Sequence, residues 1–179
     1  MDLVEAVSRS RRGDREALQY LFTTFYAEVY RVAFLITRQA PLAEEATQEA
    51  FLKAFTRLAS LRDPEKFPSW LRAIGARCAL DVLRQERNCR PHADPTADCR
   101  PFPLAAEAGE RAETRALLRR AIEDLEPVYR QVIVLRFYCD LDLKEIAAAI
   151  GCPIGTVKSR LHRGLKALQL ALGGDPGDV

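Results

Sequence analysis

From residue 2 onward the apolar positions recur at steps of three and four, and no stretch keeps the strict alternation of a half-buried strand. An all-α protein is expected. The spacing predicts a first helix over residues 2–11, after which Gly13-Asp14 breaks the chain and caps a second helix from Asp14 to Arg38. Leu18, Leu21, Phe22, Phe25, Val29, Val32, Ala33 and Ile36 give that helix its apolar face. Pro41 opens a third helix, running to about Ser60. On its wheel Ala43, Ala50, Ala54 and Leu58 turn inward, whereas Glu45, Gln48, Glu49, Leu52 and Thr56 turn outward. The segment LRDPEKFPS (61–69) carries two prolines and reads as a loop, after which Trp70–Arg87 is helical again. These four helices are expected to form one packing unit.

Periodicity then lapses. Residues 89–104, CRPHADPTADCRPFPL, hold four prolines and almost no periodic apolar content. The expected organisation is a first domain over 1–88, a flexible linker over 89–106 and a second small helical domain over 107–173. In that second domain a helix is predicted from Glu107 to Leu125. A further helix starts at Pro127 and carries Val128, Val132, Leu135 and Arg136, and a short one spans Asp142–Ile150. The turn Gly151-Cys152-Pro153 follows. Gly151 suits the left-handed conformation that ends a helix, Pro153 the first position of the next, and Ala147 a close helix crossing. Ile146, Ile150 and Val157 are expected beneath the turn.

This is the pattern of a helix-turn-helix, and the last helix supplies its chemistry. In GTVKSRLHRGLKALQLAL (155–172), Val157, Leu161, Leu165, Leu168 and Leu172 form the expected buried stripe. Thr156, Lys158, Ser159, Arg160, His162, Arg163 and Lys166 cover the rest, and no acid is present. A solvated helix usually mixes charge signs to gain i,i+4 pairs. This one is suited to an anion. In a helix-turn-helix the second helix enters the DNA major groove, so Arg160 and Lys158 are placed to donate to guanine O6 and N7. Thr156 and Ser159 suit bases or phosphate, and Arg163 and Lys166 suit phosphates.

The net charge of the 179-residue chain is only +2, so its basic surfaces must be local. Between residues 66 and 90, Lys66, Arg72, Arg77, Arg84, Arg87 and Arg90 outnumber Asp81 and Glu86. That excess suits single-stranded DNA, for which Phe67 and Trp70 offer flat faces at about 1–3 kcal/mol per stacked base. A packed Trp70 is the structural alternative. The charged start MDLVEAVSRSRRGD is followed by no signal-length apolar run, and a cytoplasmic location is expected. Five cysteines at irregular spacing argue for thiols, with Cys78 and Cys152 packed as small apolar groups. Cys89, His92 and Cys99 resemble part of a zinc pattern, but a fourth ligand is not evident and no metal or other cofactor is expected. No phosphate loop, nucleophile elbow or paired-carboxylate signature occurs, so the chain does not read as an enzyme.

The run LEPVYRQVIVLRFYCDLDLKEIAAAIGCPIGTVKSRLHRGLKAL (125–168) resembles the C-terminal DNA-binding region of bacterial sigma factors of the extracytoplasmic-function group. AEEATQEAFLKAF (43–55) resembles their polymerase-binding helix, and FPSWLRAIGARCALDVLRQ (67–85) their promoter-melting helix. The resemblance implies that core RNA polymerase is the partner of Glu45, Gln48, Glu49 and Leu52. It also implies that the first domain opens the minus-ten element of promoter DNA, through Lys66, Phe67, Trp70, Arg72, Arg77 and Arg84. The second would read the minus-thirty-five element, through Thr156, Lys158, Ser159, Arg160, Arg163 and Lys166. Family members use the loop before the melting helix to hold a flipped base, which points to Lys66 and its neighbours in LRDPEKF. An anti-sigma factor is a further implied partner. Departures from the family pattern are Ala73 and Ala76 in place of arginine, Arg77 in place of asparagine, and Thr47 in place of an apolar residue.

About 16 to 20 irregular residues span on the order of 50–65 Å, compatible with promoter elements about two helical turns, roughly 70 Å, apart. Two other classes account for part of the pattern. A stand-alone helix-turn-helix regulator would bind duplex DNA as a dimer, and an interaction adaptor would have no use for the cationic face.

Overall fold

Short-range capping sets where the helices begin and end. A computed structural model of the chain describes residues 1–89 and 110–173. It divides the protein into two compact units, Met1–Arg100 and Pro101–Val179. The stretch from 90 to 109, with His92 and Cys99, lies outside the described residues, as does the side chain of Cys89. All described regular structure is helical. Among the described residues no helix is long and apolar enough to cross a membrane.

In the first unit, α1 (Leu3–Arg11) is capped by Asp2, whose carboxylate accepts from the Glu5 amide at 2.7 Å. Gly13, at φ +82°, turns the chain where a side chain would be strained. Asp14 then caps α2 (Arg15–Thr37), accepting from the amides of Glu16 and Ala17 at 3.0 and 3.2 Å. The Arg9 guanidinium, together with those amides, holds the Asp14 carboxyl below the usual carboxylate range. Pro41 lies in the first turn of α3 (Ala40–Arg57), and 3₁₀ turns at Leu58–Ser60 and Pro64–Lys66 lead to α4 (Phe67–Cys89).

Helix α4 therefore begins three residues before the predicted Trp70. Asp63 accepts from the Glu65 amide at 3.0 Å and starts the second 3₁₀ turn. Pro68 falls in the first turn of α4, where its missing N–H would have no helical partner. The prolines here initiate helix.

Helices α2, α3 and α4 pack against one another around Leu21, Val29, Val32, Ile36, Phe51, Phe67 and Leu71. The inner face of α3 is mostly alanine: Ala43, Ala46, Ala50 and Ala54 are fully buried. Thr47 is also fully buried, and its hydroxyl donates to the Ala43 carbonyl at 2.6 Å, so the polar group is satisfied within its own helix. Phe22 sits at the rim rather than in the predicted core, 37% exposed, with its ring 4.8 Å from that of Phe51.

Gly75 of α4 packs closely against α2. A Cβ there would lie 2.8 Å from Cγ1 of Val29, a buried β-branched side chain with few alternative rotamers. Alanine improves helix propensity by about 1 kcal/mol, but overpacking a core costs typically about 1–3 kcal/mol. Gly75→Ala is expected to destabilise the first unit by up to about 2 kcal/mol net, read as a lower denaturation midpoint.

The second unit comprises α5 (Glu110–Glu123), α6 (Pro127–Ile133), α7 (Leu143–Ile150) and α8 (Ile154–Ala171). Arg130 is buried, yet its guanidinium donates to the carbonyls of Glu123 and Leu125 at 3.1 and 2.7 Å, capping the end of α5. The helix expected from Pro127 changes pitch at Val134–Tyr138, a π-helical turn. Within that turn Val134 and Leu135 are buried, while Val128, one of the predicted apolar positions, is 37% exposed.

The buried stripe of α8 differs in phase from the expected one. Val157 and Leu168 are buried and Leu161 is half-buried, but Leu165 and Leu172 are exposed. Gly164 takes the inward place: a Cβ there would lie 3.1 Å from Cγ1 of Ile133 and 3.3 Å from Cβ of Tyr129. A hydrophobicity pattern gives glycine no weight, so α8 faces α6 through a residue the stripe omitted.

Candidate nucleic-acid interface

The turn before α8 is built from its caps. Asp142 accepts from the amides of Lys144 and Glu145, and Glu145 accepts from the Asp142 amide at 2.9 Å, closing a capping box at the start of α7. Gly151 ends α7 at φ +76°, with its amide donating to Ala147 at 2.9 Å. Pro153 is the N-cap of α8, one position before the expected one. Ile146 and Val157 are fully buried beneath the turn, whereas Ile150 is half-buried.

This scaffold leaves one side of α8 outward. Lys158, Ser159, His162, Arg163 and Lys166 are exposed, and Thr156 and Arg160 are half-buried at the edge. Ser159 donates to the Thr156 carbonyl at 3.0 Å, leaving its lone pairs outward. The Arg160 guanidinium lies 4.0 Å from Sγ of Cys152, beside the turn. Together with the positive end of the helix dipole, these cations form a surface for polyanions.

The predicted single-strand set divides. Lys66, Arg77 and Arg84 are exposed, with Arg84 donating to Asp81 at 3.1 Å. Arg72 is half-buried and paired with Glu28 of α2. Phe67 is fully buried, its ring 5.4 Å from that of Phe25 and edge-on to it, so it belongs to the core and has no face free for a base. Helix α4 starts at Phe67 and aims that side chain at α2, a phase hidden when the helix is started at Trp70. Trp70 is half-buried, 6.1 Å from the Phe67 ring. Ala73 and Ala76 are both buried, so the outward basic character of α4 comes from Arg77, Arg84 and Arg87.

On α3, Glu45, Gln48 and Thr56 are exposed, and Glu49 is paired with Lys53 at 2.7 Å. Leu52 is 69% exposed, the most exposed large apolar side chain among the described residues. The face opposite its alanines thus presents one leucine among acids and amides.

Of the two cysteines expected to pack as small apolar groups, Cys78 is buried, and burial pushes its thiol up to about 11 with Lys53 partly opposing. Cys152 is instead half-exposed in the turn. Alkylation at neutral pH, mapped by peptide mass spectrometry, is expected to modify Cys152 well before buried Cys78 and Cys139. Equal rates would contradict that burial.

The comparisons with known proteins bear on both units. Residues 21–89 match the family model for Sigma-70 region 2, and residues 115–168 match that for Sigma-70, region 4. The chain is 30% identical over 164 residues to the RNA polymerase sigma factor SigV of Bacillus subtilis, covering 92% of this chain and 96% of that protein. It is 32% identical over 174 residues to the ECF RNA polymerase sigma-E factor of Escherichia coli K12, covering 90% of each. The chain belongs to the extracytoplasmic-function sigma factors of the sigma-70 family. Among solved structures, the sigma factor is similar in fold to RpoE of Bartonella quintana in complex with the anti-sigma factor NepR, with a TM-score of 0.59 at 21% identity over 88% of this chain and 97% of that one. It is likewise similar to CnrH in complex with the cytosolic domain of CnrY, with a TM-score of 0.54 at 20% identity over 95% and 96%.

Proposed function

We propose that this sigma factor binds core RNA polymerase and directs promoter-specific transcription initiation, with its residues divided by task. Glu45, Gln48, Glu49 and Leu52 on the outer face of α3 contact the polymerase. Thr156, Lys158, Ser159, Arg160, Arg163 and Lys166 read the duplex minus-thirty-five element, and Lys66, Trp70, Arg77 and Arg84 engage the melted minus-ten strand. The observation that carries this reading is the presence, on one chain, of both the region 2 and region 4 matches. A stand-alone dimeric regulator accounts for α7 and α8 but leaves the region 2 match, and the bare Leu52 face within it, unexplained. The chain acts as an initiation factor without catalysing a reaction itself, in the cytoplasm where the polymerase works. An anti-sigma factor is the expected regulator, a role supported by the complexes in which its structural relatives were solved.

Gel shifts with and without purified core polymerase test this division of labour. The promoter complex is expected to need both the chain and polymerase. Tight binding of a palindromic duplex by the chain alone would favour the dimeric regulator instead.

A further inference from the structure

Helix α1 lies ahead of residues 21–89, the part matched to Sigma-70 region 2, so that match says nothing of its role. Ala6, Val7 and Ser10 are buried along its inner face. Its corner with α2 is locked by Arg9, whose Nε donates to Asp14 Oδ2 at 2.7 Å while Glu5 and Glu16 lie at 3.7 and 3.6 Å. Held in that way, α1 packs against both 3₁₀ turns that precede α4. From its last turn Arg11 reaches across fifty residues of sequence and donates to the backbone carbonyl of Leu61.

That carbonyl opens the segment Leu61–Lys66. Leu61 and Phe67 anchor the segment from below with buried side chains, while Arg62, Asp63, Glu65 and Lys66 are exposed. Arg62 and Lys66 are balanced by Asp63 and Glu65, so the segment carries no net charge with which to attract a nucleic-acid strand. What Lys66 contributes must come from where it is held rather than from an excess of charge. This side-chain hydrogen bond from α1 to the segment is thus well placed to govern it.

We propose that Arg11 is a positioning residue for the loop before α4, fixing the Leu61 carbonyl so that Lys66 is presented to the melted promoter strand. The inference rests on the single-strand role given to Lys66 above. Helix α1 thereby tunes promoter opening and leaves polymerase binding untouched.

The test is a double-mutant cycle on the full chain with core polymerase, using a promoter fragment recovered by run-off transcription and carrying 2-aminopurine in its melted stretch. Arg11→Met keeps the apolar stem and removes the donor. It is expected to lower the extent of opening roughly fivefold to tenfold, the scale of the net contribution of one hydrogen bond. Polymerase affinity should stay unchanged, the thermal midpoint should fall by no more than about a few degrees, and Arg11→Lys should recover most of the loss. In a Lys66→Ala background Arg11→Met should have little further effect, because residues acting through one another are not additive. If Lys66→Ala impairs opening but Arg11→Met does not, or if the two losses simply multiply, the positioning role is wrong while the reading of Lys66 stands. Loss of polymerase binding in Arg11→Met would likewise overturn it in favour of a general structural role. If Lys66→Ala leaves opening unchanged, the single-strand role falls and this inference falls with it.

Discussion

Leu52→Arg is expected to weaken binding to core RNA polymerase at least thirtyfold while leaving the fold intact. The side chain is 69% exposed on α3, and the opposite face of that helix is held by buried Ala43, Ala46, Ala50 and Ala54. Nothing in the core needs Leu52, so its exposure has no structural return within the first unit. Burying a leucine at an interface contributes about 1.5–3 kcal/mol, and forcing a guanidinium into the same contact adds a desolvation cost. A loss of at least about 2 kcal/mol follows, the scale of an interface anchor. Fluorescence titration of labelled chain with core polymerase would read it, with circular dichroism as the folding control. Native affinity in a folded Leu52→Arg variant would remove α3 from the interface.

Arg160→Ala is expected to have the next largest effect, and its character matters as much as its size. Arg160 stands at the edge of the exposed face of α8, beside the turn and 4.0 Å from Sγ of Cys152. In the proposed minus-thirty-five role it donates to base edges, so its loss should cost about 1–3 kcal/mol and relax the preference at one base pair. Arg163 is exposed farther along the helix. Arg163→Ala should weaken binding evenly across sequences and lower the slope of log affinity against log salt by about 1. Titrations of holoenzyme on matched and singly substituted minus-thirty-five elements, at several salt concentrations, separate these outcomes. A uniform loss in Arg160→Ala, or unchanged affinity in both variants, would contradict the assignment.

Capping chemistry made much of the fold legible from sequence. Gly13-Asp14 and Gly151 mark chain reversals through requirements local to a few residues, and the structure places the breaks there. The outward face of α3 was equally readable, because alanine and polar residues separate cleanly around its wheel. What escaped depends on longer-range packing. In sequence Phe67 looks free to stack on a base because Pro68 resembles a helix breaker, whereas the capped turn at Asp63 lets α4 start early and turn that ring inward. Gly164 is invisible to the apolar stripe because close helix contact through a missing side chain carries no hydrophobic signal. The pitch change at Val134–Tyr138 has no periodic signature in so short a stretch. The Arg11 contact to Leu61 joins residues fifty apart through a backbone carbonyl, which no side-chain pattern encodes.

Whether this chain confers promoter choice on a polymerase is decided by run-off transcription from a fragmented genomic library with purified core enzyme. Adding the chain should yield discrete transcripts whose start sites share two sequence elements about two helical turns of DNA apart. Transcripts no different from those of core enzyme alone, across the whole library, would contradict that role.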